Sequence, residues 1–322
     1  MIVKTMIRVL AVSCAVMGGG FAIAQNYPSK PVRVVIPWPP GGANDIVGRI
    51  VAQRMTEQLG QSFVIDNRGG ANGTIGAELV AKAPADGYTM MVHSAAHVTS
   101  PHLYKKLPYD TLKDFTGVTP LAVQVGMLVV HPSLPAKSVK DFIALGRAQP
   151  GKIVYGSSGS GSFVHLAMAL LNSMSNTQMI HVPFKGGAPA VVALASGEIQ
   201  AMAATIGSVI PHLPSGRLRA IGVTSAKRLK QFPDIPAISE GLPGYDFVAW
   251  IGAFVASGTP KPIVERLNAE IKKTLENPEV IKVMGGQTLD PIHMTSEQFA
   301  ARLKADYDKY EKLVKLTGAN AN

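Results

Sequence analysis

Residues 118–131 read VTPLAVQVGMLVVH. Valine, leucine, threonine and methionine fill a run well beyond the usual strand of about five or six residues. The stretch is long enough to leave one sheet and enter another. A second run, FVAWIGAFVA at 247–256, follows the proline- and glycine-rich loop of 227–246 and is long enough to carry the chain back. Two crossings predict an inserted domain. One domain is then discontinuous, 25–122 with 226–322, and the other is 123–225.

Outward from these runs, strand and helix patterns alternate. Val32–Pro37, Phe63–Asn67 and Tyr88–His93 are short and β-rich, while Asp45–Leu59 and Thr74–Ala83 between them carry helical spacing. Such a βαβαβ opening means a parallel sheet. The middle third repeats the plan: helices over 138–149, 163–174 and 189–196, strands over 153–156, 179–183, 199–205 and 218–224. Helices over 260–277, 278–284 and 296–317 close the chain, the last with Leu303, Tyr307, Tyr310 and Val314 on a core-facing stripe. The class is therefore α/β with two domains. Ligands of open α/β sheets sit beyond the carboxyl ends of the strands, so two facing domains make a cleft and the two crossing strands its hinge.

The first residues read as an export signal. Lys4 and Arg8 are followed by an apolar run to Ile23, and Ala22-Ile23-Ala24 is a small-x-small cleavage site, which puts the cut after Ala24 and the mature chain in the periplasm. The only cysteine, Cys14, leaves with that segment, so no disulfide or thiolate site is expected. Removing Lys4 and Arg8 from 31 basic residues leaves 29 against 21 acidic ones, a net +8 that favours anions. The basic residues form no run and no aromatic interleaving, which argues against nucleic acid. About 298 mature residues (322 less 24) supply two proper cores.

The chemistry lies in four strand-to-helix junctions. In VVIPWPPGGANDIVGRI (34–50), Gly41 and Gly42 let backbone approach a ligand, Ala43 opens a helix whose first N–H groups suit an anion, and Trp38 and Pro40 flank it. Asp45 reads as a first-turn or capping residue, because a carboxylate facing an anion would repel it. The segment YGSSGSGSFVHLA (155–167) offers Ser157, Ser158, Ser160 and Ser162 with Gly159 and Gly161, and His165 just inside the helix. HVPFKGGAPA (181–190) places Lys185, Gly186, Gly187 and Ala188 at another helix start, and HSAAHVTSP (93–101) does so with Ser94. Helix N-termini on both sides of a cleft suit a ligand with a carboxylate at each end.

Enzyme motifs fail on the same residues. None of the serines has glycines at both second neighbours, as a nucleophile elbow requires, and Gly159-Ser160-Gly161-Ser162-Phe163-Val164 lacks the third glycine of a dinucleotide fingerprint. His93, His97 and His102 have no carboxylate at metal-ligand spacing. No cofactor, metal or catalytic residue is expected.

Segments such as YPSKPVRVVIPWPPGGANDIVGRIVAQRM, VIDNRGGANGTIGAELVAKAPADGYTM, LVVHPSLPAKSVKDFIALGRAQPGKIVYGSSGSGS and IHVPFKGGAPA resemble the Bug family over essentially the whole mature chain. These are periplasmic substrate-binding proteins of tripartite tricarboxylate transporters. The resemblance implies a two-domain, type II-like Venus-flytrap fold, capture of a small carboxylate, and delivery to integral-membrane transporter subunits. It also implies that Trp38, Pro40, Gly41, Gly42, Ala43 and Ser94 line one side of the pocket, with Gly156–Ser162, His165, Lys185–Ala188 and Thr205 on the other. Where relatives often carry phenylalanine and aspartate, this chain has Ala203 and Ala204. That departure implies a ligand without an ammonium group and a roomier cavity, hence a dicarboxylate, with a flat aromatic one such as a phthalate isomer as one form. The alternatives are a receptor for a sensor kinase and a periplasmic hydrolase. A monomer is the expectation for a hinge-closing receptor.

Overall fold

The computed structural model describes residues 27–318, so the signal segment and Cys14 lie outside the described residues. The chain opens with strand β1 (Val32–Ile36), helix α1 (Ala43–Leu59), β2 (Phe63–Asn67), α2 (Thr74–Ala81), β3 (Thr89–Ser94) and α3 (Ala96–Leu103). β1 pairs in parallel with β2 and β3, as the alternating pattern predicts. Side chains of β1 point alternately to opposite faces. Val34 and Ile36 join a core cluster with Val47, Val51 and Met55 of α1, whereas Val35 joins Met91, Ala77 and Val80 on the other face. Gly60 ends α1 in the left-handed region, φ 67°, and its N–H donates to the Thr56 carbonyl at 3.0 Å.

The run at 118–131 is two strands, β4 (Phe115–Gln124) and β5 (Gly126–Val130), with Val125 between them. β4 lies in the first sheet and β5 in the second. After β5 the chain continues through α4 (Val139–Ala148), β6 (Val154–Ser157), α5 (Phe163–Ser175), β7 (Ile180–Pro183), α6 (Gly187–Ala195), β8 (Ala201–Thr205), the short α7 (Ile206–Val209) and β9 (Arg219–Val223). Strand β10 (Ala249–Ala256) is back in the first sheet, followed by α8 (Lys261–Leu275), α9 (Pro278–Gly286), β11 (Leu289–Pro291) and α10 (Ser296–Thr317). The first sheet runs β11-β4-β10-β3-β1-β2 and the second β7-β6-β8-β5-β9. This is the mixed α/β, two-sheet fold expected. The strand β11, on the sheet edge, and the break at Val125 were not predicted.

The two crossings are bonded side by side. The Gly126 N–H donates to Thr224 Oγ1 at 2.8 Å, the Thr224 N–H to the Gly126 carbonyl at 2.9 Å, and the Phe247 N–H to the Thr224 carbonyl at 2.8 Å. A Cβ on Gly126 would come within 2.9 Å of the Phe163 ring, so only glycine passes here without displacement. Pro120 has no N–H for the ladder, and β4 bulges beside it: Ile251 faces Ala122 and Gly252 faces Pro120, leaving Leu121 as the extra residue.

Helix α10 begins with a capping box, the Gln298 N–H donating to Thr295 Oγ1 at 3.2 Å and the Thr295 N–H to Gln298 Oε1 at 3.0 Å. It packs on β4 and α3 of the first sheet and on α5 of the second. One apolar cluster therefore runs without a break from Met91 and Val98 through Phe299 and Tyr310 to Phe163 and Leu166. Phe299 is fully buried, edge-on to Trp250 with ring centroids 5.2 Å apart. Truncating Phe299 to alanine is expected to cost about 3–5 kcal/mol of unfolding free energy, measured by urea denaturation, and Phe299→Leu much less.

Candidate functional site

Three strand–loop–helix units bring their helix starts to one place. Between the loops of the two sheets lies a cavity with about 600 Å³ of atom-free space. The walls include Gly42, Ala43 and Asn44 at the start of α1, Ser162, Phe163 and Val164 at the start of α5, and Gly186, Gly187 and Ala188 at the start of α6. Trp38, Pro39, Pro40, Ser94 and Gln124 complete one side, and Ser158, Met202 and Thr205 the other. None of these lining side chains is ionisable.

The N-caps explain why the first-turn N–H groups stay free. Gly42 and Gly186 have no side chain with which to cap α1 and α6, so nothing competes with a ligand for those donors. Ser162 does cap α5, but its Oγ takes only the His165 N–H, at 3.3 Å. Each helix end carries partial positive charge worth up to about 2 kcal/mol for an anion when partly buried.

Asp45 is turned away from the cavity into the loop behind it. Its carboxylate accepts from the Gly41 N–H at 3.0 Å, Arg49 Nε at 2.9 Å and Asn67 Nδ2 at 2.9 Å. Burial raises its pKa, and those bonds with the Arg49 charge more than offset that, holding the carboxyl below its ordinary value. The Gly41 N–H is thereby occupied. Gly41 lines a smaller space toward Gln287 that shares Ala43, Gln124 and Thr205 with this cavity.

Other expected residues also lie outside the cavity wall. Ser157 is fully buried, its Oγ 2.7 Å from His181 Nε2. The Gly161 N–H donates to His165 Nδ1 at 2.8 Å, and His165 stacks on His181 with ring centroids 3.8 Å apart at 8°. His165 thus braces the serine-glycine loop from behind. Ala203 and Ala204 are buried in β8, facing Leu128 and Met127 across the ladder. They belong to the sheet's interior, and the β8 residues at the wall are Met202 and Thr205.

Gly159, Ser160 and Lys185 line an adjoining, more open cavity of about 1110 Å³ atom-free space. It shares Trp38, Pro39, Pro40, Ser158 and Gly186 with the first and adds Asn67, Asn72, Tyr104 and Phe184. The two chambers meet where Pro39 approaches Gly186, at which a Cβ would stand 3.0 Å from Pro39 Cγ. Gly186 has φ 123° and is doubly required there.

His93 fixes two walls of the inner cavity through one atom. Its Nδ1 accepts from Trp38 Nε1 at 3.1 Å and from the Ser94 N–H at 2.9 Å. His97 is buried among Tyr109, Phe115 and Phe254, and His102 packs against Tyr307. Among the described residues no group of three or more histidines, cysteines or acids is placed to hold a metal ion.

Residues 47–318 match the family described as tripartite tricarboxylate transporter family receptor. The chain belongs to that family. Relatives of this receptor family include protein BugT of Bordetella pertussis, 31% identical over 92% of this chain and 92% of its own. Among solved structures, Rpa4515 of R. palustris with adipate is 34% identical, covers 91% of this chain and 99% of its own, and superposes with a TM-score of 0.88. MatC of Rhodopseudomonas palustris with bound malate is 31% identical over 89% of this chain and 100% of its own, TM-score 0.83. Sequence reading of the receptor missed Pro39, Asn44, Gln124, Phe163, Val164 and Met202. Gln124 carries a signal, as a polar residue inside an otherwise apolar crossing run.

Burial pushes the pKa of His97 and His165 down to about 3, and that of His93 well below its ordinary value; the charge of His181 adds to the effect on His165, and that of His97 to the effect on His93. Unfolded imidazoles take up protons near pH 6.5, so between there and about pH 3 the unfolded state binds more protons and unfolding becomes easier as pH falls. Each such group adds to that loss inside the window and contributes nothing above it. Urea midpoints are expected to be level above pH 7 and to fall steadily from pH 6 to pH 4.5.

Proposed function

We propose that this chain is an exported receptor, cleaved after Ala24, that takes a small dicarboxylate between two lobes and delivers it to integral-membrane subunits of a tripartite tricarboxylate-type transporter. The lobes are 25–122 with 226–322 and 123–225, and the crossings at Val125 and at 224–248 are the hinge between them. One observation carries the reading: three helix N-termini, two of them capped only by glycine, meet in a cavity without an ionisable side chain. Backbone donors there suit a carboxylate and leave no acid to hold an ammonium group. The adipate and malate of the two related structures are both dicarboxylates. Both of those acids are aliphatic, which favours a narrow aliphatic acid over a phthalate ring. Membership of a receptor family supports binding rather than turnover.

Thermal unfolding against mono-, di- and tricarboxylates, with amino acids as controls, tests this. A ligand at 100 times its dissociation constant adds about 2.7 kcal/mol to the folded state, so dicarboxylates should raise the midpoint and amino acids should not. Gly187 offers a sharper probe. A Cβ there meets nothing within 4 Å, so Gly187→Ala should bind within about twofold of the parent. Proline is tolerated at a first helical position but has no N–H, and losing one charge-assisted bond of about 1.5–3 kcal/mol makes Gly187→Pro bind about 10- to 100-fold more weakly. Delivery is checked by uptake of the bound acid into vesicles carrying the membrane subunits; uptake that does not need this chain would point to a sensor instead.

A further inference from the structure

Among the described residues, Thr288 is the one β-branched residue with a left-handed backbone, φ 55°. Such a residue stays there only where its surroundings fix it. Thr288 is buried, its N–H donates to the Gly285 carbonyl at 2.9 Å, and Leu289 after it pairs with Gln124 at the sheet edge. On the other side of this bend Gln287 reaches Gly207 in α7, where an added Cβ would overlap Gln287 Oε1. Gln287 belongs to the 226–322 part and Gly207 to 123–225, so the contact crosses between the lobes. We propose that residues 285–289 are a hinge-side latch: Gln287 seats on the bare backbone of Gly207, holds the lobes in their closed arrangement and lengthens the stay of a bound acid. The inference rests on the reading that the lobes close about the two crossings.

Three observations converge on this. The backbone of Gly207 is not left-handed, so its conformation does not call for glycine whereas the space beside Gln287 does. The contact borders a small space whose walls include Gln124, Val125, Thr205 and Leu289. Val125 is the break between β4 and β5, and Gln124 and Thr205 also wall the ligand cavity, one from each lobe. The latch therefore lies between the hinge and the ligand. Finally, Gln287 and Gly207 are both partly exposed, so the contact can part without uncovering a core.

Crosslinking tests the latch without a ligand. A Cβ on Gly207 would stand 3.8 Å from that of Gln287, and about 3.8 Å is the mean Cβ separation in a disulfide. The chain freed of its first 24 residues carries no cysteine, since Cys14 goes with them. With Gly207→Cys and Gln287→Cys together it should oxidise to an intramolecular disulfide, and its radius of gyration by small-angle X-ray scattering should grow on reduction. Failure to crosslink, or equal radii before and after reduction, overturns the latch. Gln287→Ala, at a partly exposed position, should fold normally and release adipate about fivefold faster, with association unchanged within about twofold. Unchanged release also overturns the latch and leaves carboxylate capture standing. If the parent binds no adipate, capture of that acid falls, while crosslinking and scattering still decide the latch.

Discussion

A helix start cannot satisfy its own first N–H groups, and this receptor brings three such starts together. The partial positive ends of α1, α5 and α6 face one cavity, an arrangement that costs energy unless a negative group lies between them. The rest of the molecule holds those ends in place. Each helix follows a strand whose buried side chains fix its position, and each loop is pinned behind the cavity by groups that never reach it. Asp45 takes the Gly41 N–H, His165 takes the Gly161 N–H, and His93 takes both Trp38 and Ser94. These acceptors consume the donors that are not aimed inward. What remains free is the set that converges.

Glycine has two distinct tasks around this cleft. At Gly42 and Gly186 its missing side chain leaves helix donors uncapped. At Gly161 and Gly186 it lets the second sheet's loops touch the first sheet's side of the cleft. A Cβ on Gly161 would overlap Leu103, and one on Gly186 would press on Pro39. The same residue type serves chemistry at one atom and shape at another, which is why the loops look merely glycine-rich when read as text.

Much of the fold was legible because periodicity and turn chemistry are local. The β2 strand at Phe63–Asn67 and the α10 helix at Ser296–Thr317 have the bounds their patterns gave, and the two crossing runs pointed to two sheets. The break at Val125 was hidden, since it is set by hydrogen bonds to Thr224, about a hundred residues away. The site was legible as loops and less so as side chains. Motif neighbours such as Ser157 and His165 sit in the right segments but are taken up by His181 and the Gly161 N–H, and Ala203 and Ala204 are buried on opposite faces of β8. Direction is a tertiary property: it depends on strand pleat and on what packs behind, neither of which a linear motif records. Asn44 and Met202 were missed for the same reason.

The unbroken apolar cluster that passes from the first sheet through α10 to α5 bears on how the molecule holds together as well as on where the sheets sit. Two lobes joined only by extended strands would come apart one at a time. Here α10 lends buried surface to both, so neither sheet can lose its packing without exposing part of the other's. The two halves therefore share buried surface through α10, and opening the packing of one uncovers apolar side chains of the other.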